Sequence, residues 1–320
     1  MNKKIKKIIT ISTILGGTMF TANKIIDYMA SYCDERSHKE DEKRKKSSFI
    51  YQWRNGRIFF QKKGSGNPLL LIHDLNPISS SYEWTHIIDH LSKSHTVYTI
   101  DLLGCGKSEK PSFIYINYIY VQLINDFIQN IIQKKTDLVV TGESFSFAVM
   151  AARMNHQMIG TITAINPTDI YYNVQSPTKM SELLMHTIQL PIIGTFIYNI
   201  IMNRKMIEKK INKKFYNNRS RVPHYLSDMY YKSAHLDKSK GKHLYASIVG
   251  KYTNINIIHA LKLITNPIHF IVTDSIEKNV KEYKKYNSSI TIDSILNAGY
   301  LPQLEKPKDV AQLIKKYYPQ

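Results

Sequence analysis

The 320-residue sequence predicts an α/β protein, with a mostly parallel β-sheet, helices on both faces and one helical insertion. Three observations lead there. Short continuous apolar runs, such as Leu69–Ile72 and Leu138–Val140, read as strands buried on both faces. These runs alternate with longer segments whose apolar residues recur at helical spacing. The alternation stops between residues 170 and 265, which are helix-like, aromatic and lysine-rich. The expected organisation is an N-terminal segment over 1–47, a core over 48–169 and 266–320, and a cap over 170–265.

The elements follow in chain order. Phe49–Trp53 and Ile58–Phe60 flank Asn55-Gly56, a pair that tolerates positive φ and so signals a hairpin. Leu69–His73 is a buried strand, Tyr82–Leu91 a helix and Thr96–Asp101 a strand. Tyr118–Ile132 is a helix, with Tyr118, Val121, Leu123, Ile124, Phe127, Ile128 and Ile131 near helical spacing. Asp137–Thr141 is a strand, Phe147–Met154 a helix and Ile162–Ile165 a strand. After the insertion come strands at Ile268–Val272 and Ser289–Ile295 and a last helix over Lys308–Tyr317.

At the N-terminus, Lys3, Lys4, Lys6 and Lys7 precede an apolar run from Ile8 to Ala22. A basic stretch before an apolar one is the pattern of an export signal or anchor. Phe20-Thr21-Ala22 offers no good cleavage site, so an uncleaved membrane anchor is the expectation. A cleaved signal, giving a secreted chain, and an amphipathic helix are the alternatives. Residues 34–47 are almost wholly polar or charged and read as an exposed linker or a charged helix.

Composition excludes several classes. Two cysteines, Cys33 and Cys105, neither build a disulfide framework nor fit a metal-site spacing. No metal and no cofactor is expected. The net charge of +19 is spread over many segments, with no helix-turn-helix, zinc-finger or RNA-binding signature, so no nucleic-acid partner is expected. A membrane surface is the more credible acidic partner. Glycine is scarce, 13 residues against about 22 at average usage.

Three segments, in this order and spacing, resemble the α/β-hydrolase superfamily in its capped branch. The first is Leu69–His73 with the following Ser79–Trp84. The second is Asp101-Leu102-Leu103-Gly104-Cys105-Gly106-Lys107-Ser108-Glu109-Lys110-Pro111. The third is Ala298–Pro307. The resemblance implies an α/β-hydrolase fold with a helical cap. Gly106-Lys107-Ser108 also mimics the end of a P-loop, but Asp101 stands where that loop needs glycine.

The resemblance also implies a site. Gly142-Glu143-Ser144-Phe145-Ser146 lies between a strand and a helix, the context of a nucleophile elbow, with Ser144 as the exposed nucleophile. A serine there points to acyl transfer, the hydrolysis of esters or amides. The oxyanion donors would be the N–H groups of Phe145 and of Leu75. His73-Asp74 stands where the family has His-Gly, and a carboxylate there would repel a developing oxyanion. His73 itself reads as a structural loop histidine.

Where the family places its catalytic histidine, this chain has Tyr300, and no histidine follows His269. A phenol is a poor proton acceptor at neutral pH. Asp274 is the expected acid, with Glu277 and Asp169 as alternatives. His186, His224, His235, His243 and His259 of the cap are the remaining sources of a base.

In the cap, the apolar run Leu190–Met202 either lines a pocket for a hydrophobic, lipid-like ligand or packs on the core. The basic stretch Arg204–Arg221 reads as a solvated face or a lipid contact. Two functions stay open: a weakly active or ligand-binding pseudo-hydrolase at a membrane, and an active serine hydrolase on a hydrophobic ester or amide with an unrecognised base. A cofactor-free lyase in the same pocket is a third.

Overall fold

The computed structural model describes residues 3–36, 47–223, 225–274, 276 and 280–318. Its centre is one eight-stranded sheet. In chain order the strands are β1 (Ser48–Trp53), β2 (Gly56–Lys63), β3 (Asn67–Ile72), β4 (His95–Ile100), β5 (Thr136–Thr141), β6 (Ile159–Ile165), β7 (Ile268–Thr273) and β8 (Thr291–Ile295). The spatial order is β1-β2-β4-β3-β5-β6-β7-β8. β2 pairs antiparallel with β1 and β4, and every pair from β4 onward is parallel.

The helices are α1 (Lys3–Arg36), α2 (Thr85–Leu91), α3 (Asn117–Phe127), α4 (Ser144–Met154), α5 (Ile170–Asn173), α6 (Lys179–Gln189), α7 (Ile193–Ile201), α8 (Arg204–Lys210), α9 (Leu226–His235), α10 (Lys242–Val249), α11 (Ile258–Leu263), α12 (Pro302–Glu305) and α13 (Pro307–Tyr317). Helices α5 to α11 form the insertion between β6 and β7, and no strand occurs there among the described residues.

Strand period explains the continuous apolar runs. Leu70, Ile72, Leu138, Val140, Ile162, Ala164, Phe270 and Val272 face one core, packed by α3 and α4. Their alternates Leu69, Leu71, Val139, Ile165 and Ile271 face another, packed by α2 and α13. Each strand is apolar on both sides because each side carries helices.

Details differ from expectation at two places. The hairpin turns one residue early: Trp53 pairs with Gly56, so Arg54 and Asn55 occupy its centre. Gly56 takes φ +143 beside Leu103 and Glu109. At the N-terminus, α1 is a single helix of 34 residues. Among the described residues no single helix is long and apolar enough to cross a membrane, so the expected transmembrane anchor finds no support there. Residues 1–47 were also expected to stand outside the fold. Instead α1 packs on α7 and α9. The buried Asn23 donates to the Ile192 carbonyl (3.2 Å) and accepts from Asn199 (3.0 Å). A buried amide with both ends satisfied is a docking contact. The expected linker falls mostly on residues 37–46, outside the described residues.

The Asp101–Pro111 loop is structural. The buried Asp101 carboxylate accepts from the Ser81 N–H (2.6 Å) and the Lys107 N–H (2.7 Å). Ser108 Oγ donates to the Asp101 carbonyl (2.6 Å) and accepts from the Phe59 N–H (2.9 Å). One residue thus fixes the loops after β3 and β4. Asp101→Ala leaves two N–H groups without their acceptor and is expected to lower unfolding free energy by about 2–4 kcal/mol. Urea unfolding checks this, with the exposed Lys308→Ala as a control expected to change stability by less than about 0.5 kcal/mol.

Candidate active site

β5 ends at Thr141 and the chain turns at Gly142, which has φ +59 and donates its N–H to the Ile165 carbonyl of β6 (3.1 Å). Glu143 is already helical, at φ −66 and ψ −26, and α4 begins at Ser144. In a strand-to-helix elbow the strained residue at the apex carries the nucleophile. Here the apex is Gly142. Ser144 lies two residues on, in the first turn of α4.

Ser144 is fully buried, and its hydroxyl donates to the His73 carbonyl (2.6 Å). Its expected exposure at the sheet edge is therefore corrected: the turn is complete before the chain reaches it. Ser146 is also buried and accepts from Asn173 Nδ2 (2.6 Å).

The space at Gly142 is already taken. A Cβ there would overlap the Asp74 carboxylate and the Tyr300 hydroxyl. Asp74 Oδ1 accepts from the Glu143 N–H (2.9 Å), and Asp74 Oδ2 accepts from the Tyr300 hydroxyl (3.0 Å). The N–H following the apex residue is the elbow's oxyanion donor, and here it is bonded to a carboxylate. Phe145, the donor expected from the sequence, instead directs its N–H to the Gly142 carbonyl (3.4 Å). Leu75 is buried in the loop after β3, next to Asp74 in the chain. Asp74 is thus the member of the site that most shapes it. Its replacement of glycine was legible; its reach across to Tyr300 was not.

His73 is held as a structural group. Its Nε2 accepts from the Leu102 N–H (3.0 Å), so Nδ1 carries the proton and donates to the Asp74 carbonyl (2.7 Å). Burial lowers its pKa and keeps it neutral. No histidine among the described residues bonds Ser144. His186 and His259 are exposed, His235 is buried against the Tyr231 carbonyl (2.9 Å), and His224 lies outside the described residues.

The expected acids are used elsewhere. Asp274 is exposed and accepts from the Asn297 N–H (3.0 Å), while Asp169 caps α5 through the Tyr171 N–H (2.8 Å). Glu277 lies outside the described residues. The residue that ties β6, β7 and the Tyr300 loop together is Asn166, which sequence reasoning missed. It donates to the Tyr300 carbonyl (2.8 Å) and accepts from the Thr273 N–H (2.9 Å).

The cap closes directly on Tyr300. The Tyr300 and Leu301 N–H groups donate to the carbonyls of Lys214 (2.8 Å) and Phe215 (3.3 Å). The Phe215 ring stacks on Tyr300 at 6.4 Å, and Lys214 Nζ lies 4.2 Å from the Tyr300 ring centre. Glu305 accepts from the N–H groups of Asn217, Asn218 and Gly299. Gly299 must be glycine, because a Cβ would overlap the Phe215 backbone. The stretch 204–221 is therefore more than a solvated face: Phe215 and Tyr216 are 4% exposed.

Electrostatics follow from burial. Tyr300 is pushed well above the usual phenol range, by burial first and then by Asp74, so it stays protonated and serves as a donor. Burial, reinforced by Asp74, raises Glu83 and Glu143 to about 8. Burial lowers the pKa of Lys210, with Lys214 next in effect, while Asp74 and Glu83 oppose the shift.

These two glutamates set a pH dependence. Each holds a proton in the folded chain that the unfolded chain releases between about 4.5 and about 8. Folding is thus favoured at the acid end of that window, weakens as pH rises through it, and levels off above. The double substitution Glu83→Gln with Glu143→Gln is expected to flatten the decline, so that the variant's stability changes far less than the parent's as pH rises through that window. Urea midpoints at the two ends of the window measure it.

Comparisons with known proteins agree with this architecture. Residues 67–164 match the alpha/beta hydrolase fold family. A haloalkane dehalogenase of Agrobacterium fabrum is 25% identical over 134 residues, 42% of this chain and 43% of that protein. The match thus spans less than half the length of that curated relative. A serine hydrolase involved in carbazole degradation superposes with a TM-score of 0.69 at 14% identity, over 84% of this chain and 97% of its own. A membrane phospholipase A, a bacterial virulence factor, superposes with a TM-score of 0.66 at 15% identity over 99% of this chain and 98% of its own, so that likeness extends over α1. At such identities the structural likeness concerns fold, with chemistry left to the residues. A sheet in this order, turning into a helix after its fifth strand, is the common frame of the α/β-hydrolase fold, and this chain has that fold, with residues 67–164 matching the family itself.

Proposed function

We propose that this chain is a pseudo-hydrolase: it keeps the superfamily's core and cap, lacks serine-hydrolase chemistry, and binds a small hydrophobic or lipid-like molecule at a membrane surface. The observation that carries the reading is the Asp74 bridge. One carboxylate bonds both the Glu143 N–H and the Tyr300 hydroxyl, filling the space where an elbow nucleophile and an oxyanion would meet. Gly142 at the apex supplies no nucleophile, and protonated Tyr300 supplies no base. Loss of such a unit costs on the order of a millionfold in turnover.

Support for an apolar ligand comes from the cluster above Tyr300. Tyr82, Met202, Phe215, Tyr230, Leu301 and Leu304 pack there from both core and cap. The Leu190–Met202 run contributes Tyr198 and Met202 to that cluster, while Leu190, Ile193 and Ile200 point outward. For the membrane, support comes from the basic, partly apolar α1 and from the fold shared with a membrane phospholipase A along its whole length.

A fluorophosphonate probe and p-nitrophenyl esters of several chain lengths test the reading. The parent and Ser144→Ala are expected to be equally unlabelled and inert. The triple substitution D74G/G142S/Y300H, which empties the oxyanion position and restores nucleophile and base, is expected to gain labelling. Labelling of the parent that Ser144→Ala abolishes would overturn the proposal.

A further inference from the structure

The cap carries an apolar face that the fold leaves uncovered. Along α6, Met180, Leu183 and Leu184 recur at helical spacing and are 66%, 60% and 46% exposed. The turn into α7 adds Leu190 and Ile193, 46% and 47% exposed, and Ile200 continues the stripe at 51%. The inner sides of both helices are committed to the cap, since Met185, Ile188 and Tyr198 are buried. α6 and α7 meet at 100°. They are therefore two amphipathic helices at an angle, each with one face spent on packing.

α1 extends the same region, because it packs on α7. With Asn23 turned inward, Ile14 and Ile25 lie on its opposite side, 59% and 55% exposed, and Met29 is 58% exposed. Monomeric proteins rarely leave so many large apolar side chains together in water.

Charge selects the occupant. Lys24 of α1 is exposed, and so are Lys205 and Lys209 of α8, the helix that follows α7 in the chain. The first turns of α1 carry Lys3, Lys4, Lys6 and Lys7 in sequence, and the whole chain is +19. A second copy bound through this face would bring like-charged lysines together. An anionic lipid surface satisfies both features. It takes apolar stripes into the headgroup–acyl boundary and attracts the surrounding cations, by about 1 kcal/mol for each near the surface.

We infer that the outward face of α6 and α7, continued by α1, is a monotopic docking surface for an anionic lipid bilayer. It rests on the membrane-surface reading above and names the face that would make the contact. Helices lying in the interface plane need no crossing segment, and among the described residues no single helix is long and apolar enough to cross, while α6 and α7 are together apolar enough but bent by 100°.

Flotation of the full chain with vesicles of phosphatidylcholine, alone or mixed with phosphatidylglycerol, tests it. The parent should float with the mixed vesicles, more weakly with phosphatidylcholine alone, and less as salt rises. Leu183→Glu with Ile193→Glu should weaken flotation roughly tenfold or more while leaving circular dichroism and the thermal midpoint unchanged. Should that pair disturb folding, Leu183→Ala with Ile193→Ala is read by the same criterion. Undiminished flotation of a folded variant overturns the assignment of this face and leaves the membrane reading standing. Failure of the parent to float overturns both. A dimer of the parent that the glutamate pair dissociates, without vesicle binding, assigns the face to a second copy and overturns the proposal.

Discussion

The Asp74 bridge is the contact around which the candidate site is arranged. It joins three pieces of chain distant in sequence: the loop after β3, the elbow after β5 and the loop after β8. Its two acceptor oxygens satisfy one backbone N–H at a helix start and one buried phenol, two donors that would otherwise be costly to bury. Gly142 is the complement of that bridge. With no side chain it can adopt a positive φ and also admit the carboxylate and the hydroxyl into the space a Cβ would occupy.

Asp74, Gly142 and Tyr300 therefore form one arrangement. A serine at the apex would overlap Asp74 and Tyr300. A glycine at 74 would leave Tyr300 without its acceptor. Asn166 stabilises the arrangement from below by holding the Tyr300 carbonyl, and Glu305 with Gly299 fastens it to the cap from above. Such closure underlies the proposed loss of turnover, since Asp74, Tyr300 and the Ser144 hydroxyl each have a protein partner.

The closed site and the uncovered cap face lie on opposite sides of the same helices. The inner sides of α7 and α9 build the cluster around Tyr300, and the outer side of α7 with α6 forms the exposed apolar stripe. Tyr198 shows the division most clearly. It is fully buried and donates to the Ala234 carbonyl (2.8 Å), while Ile200, two residues on, is half exposed.

The sequence by itself determined the sheet and the helical insertion between β6 and β7. These are written in local patterns: strand runs apolar on both sides and helical periodicity. Only the tertiary structure decided where the elbow turns. Gly142 and Ser144 compete for the apex within one five-residue motif, and no local signal separates them. The choice falls to Gly142 because its N–H is still paired with Ile165 of β6 and because Asp74 and Tyr300 converge on it from 68 and 158 residues away in the chain. The docking of α1 on the cap was likewise invisible, since its one telling residue, Asn23, reads as a polar interruption until Ile192 and Asn199 are brought against it. Periodicity is a property of neighbours in sequence, whereas the identity of an apex or a docking face is set by which distant groups need its hydrogen bonds.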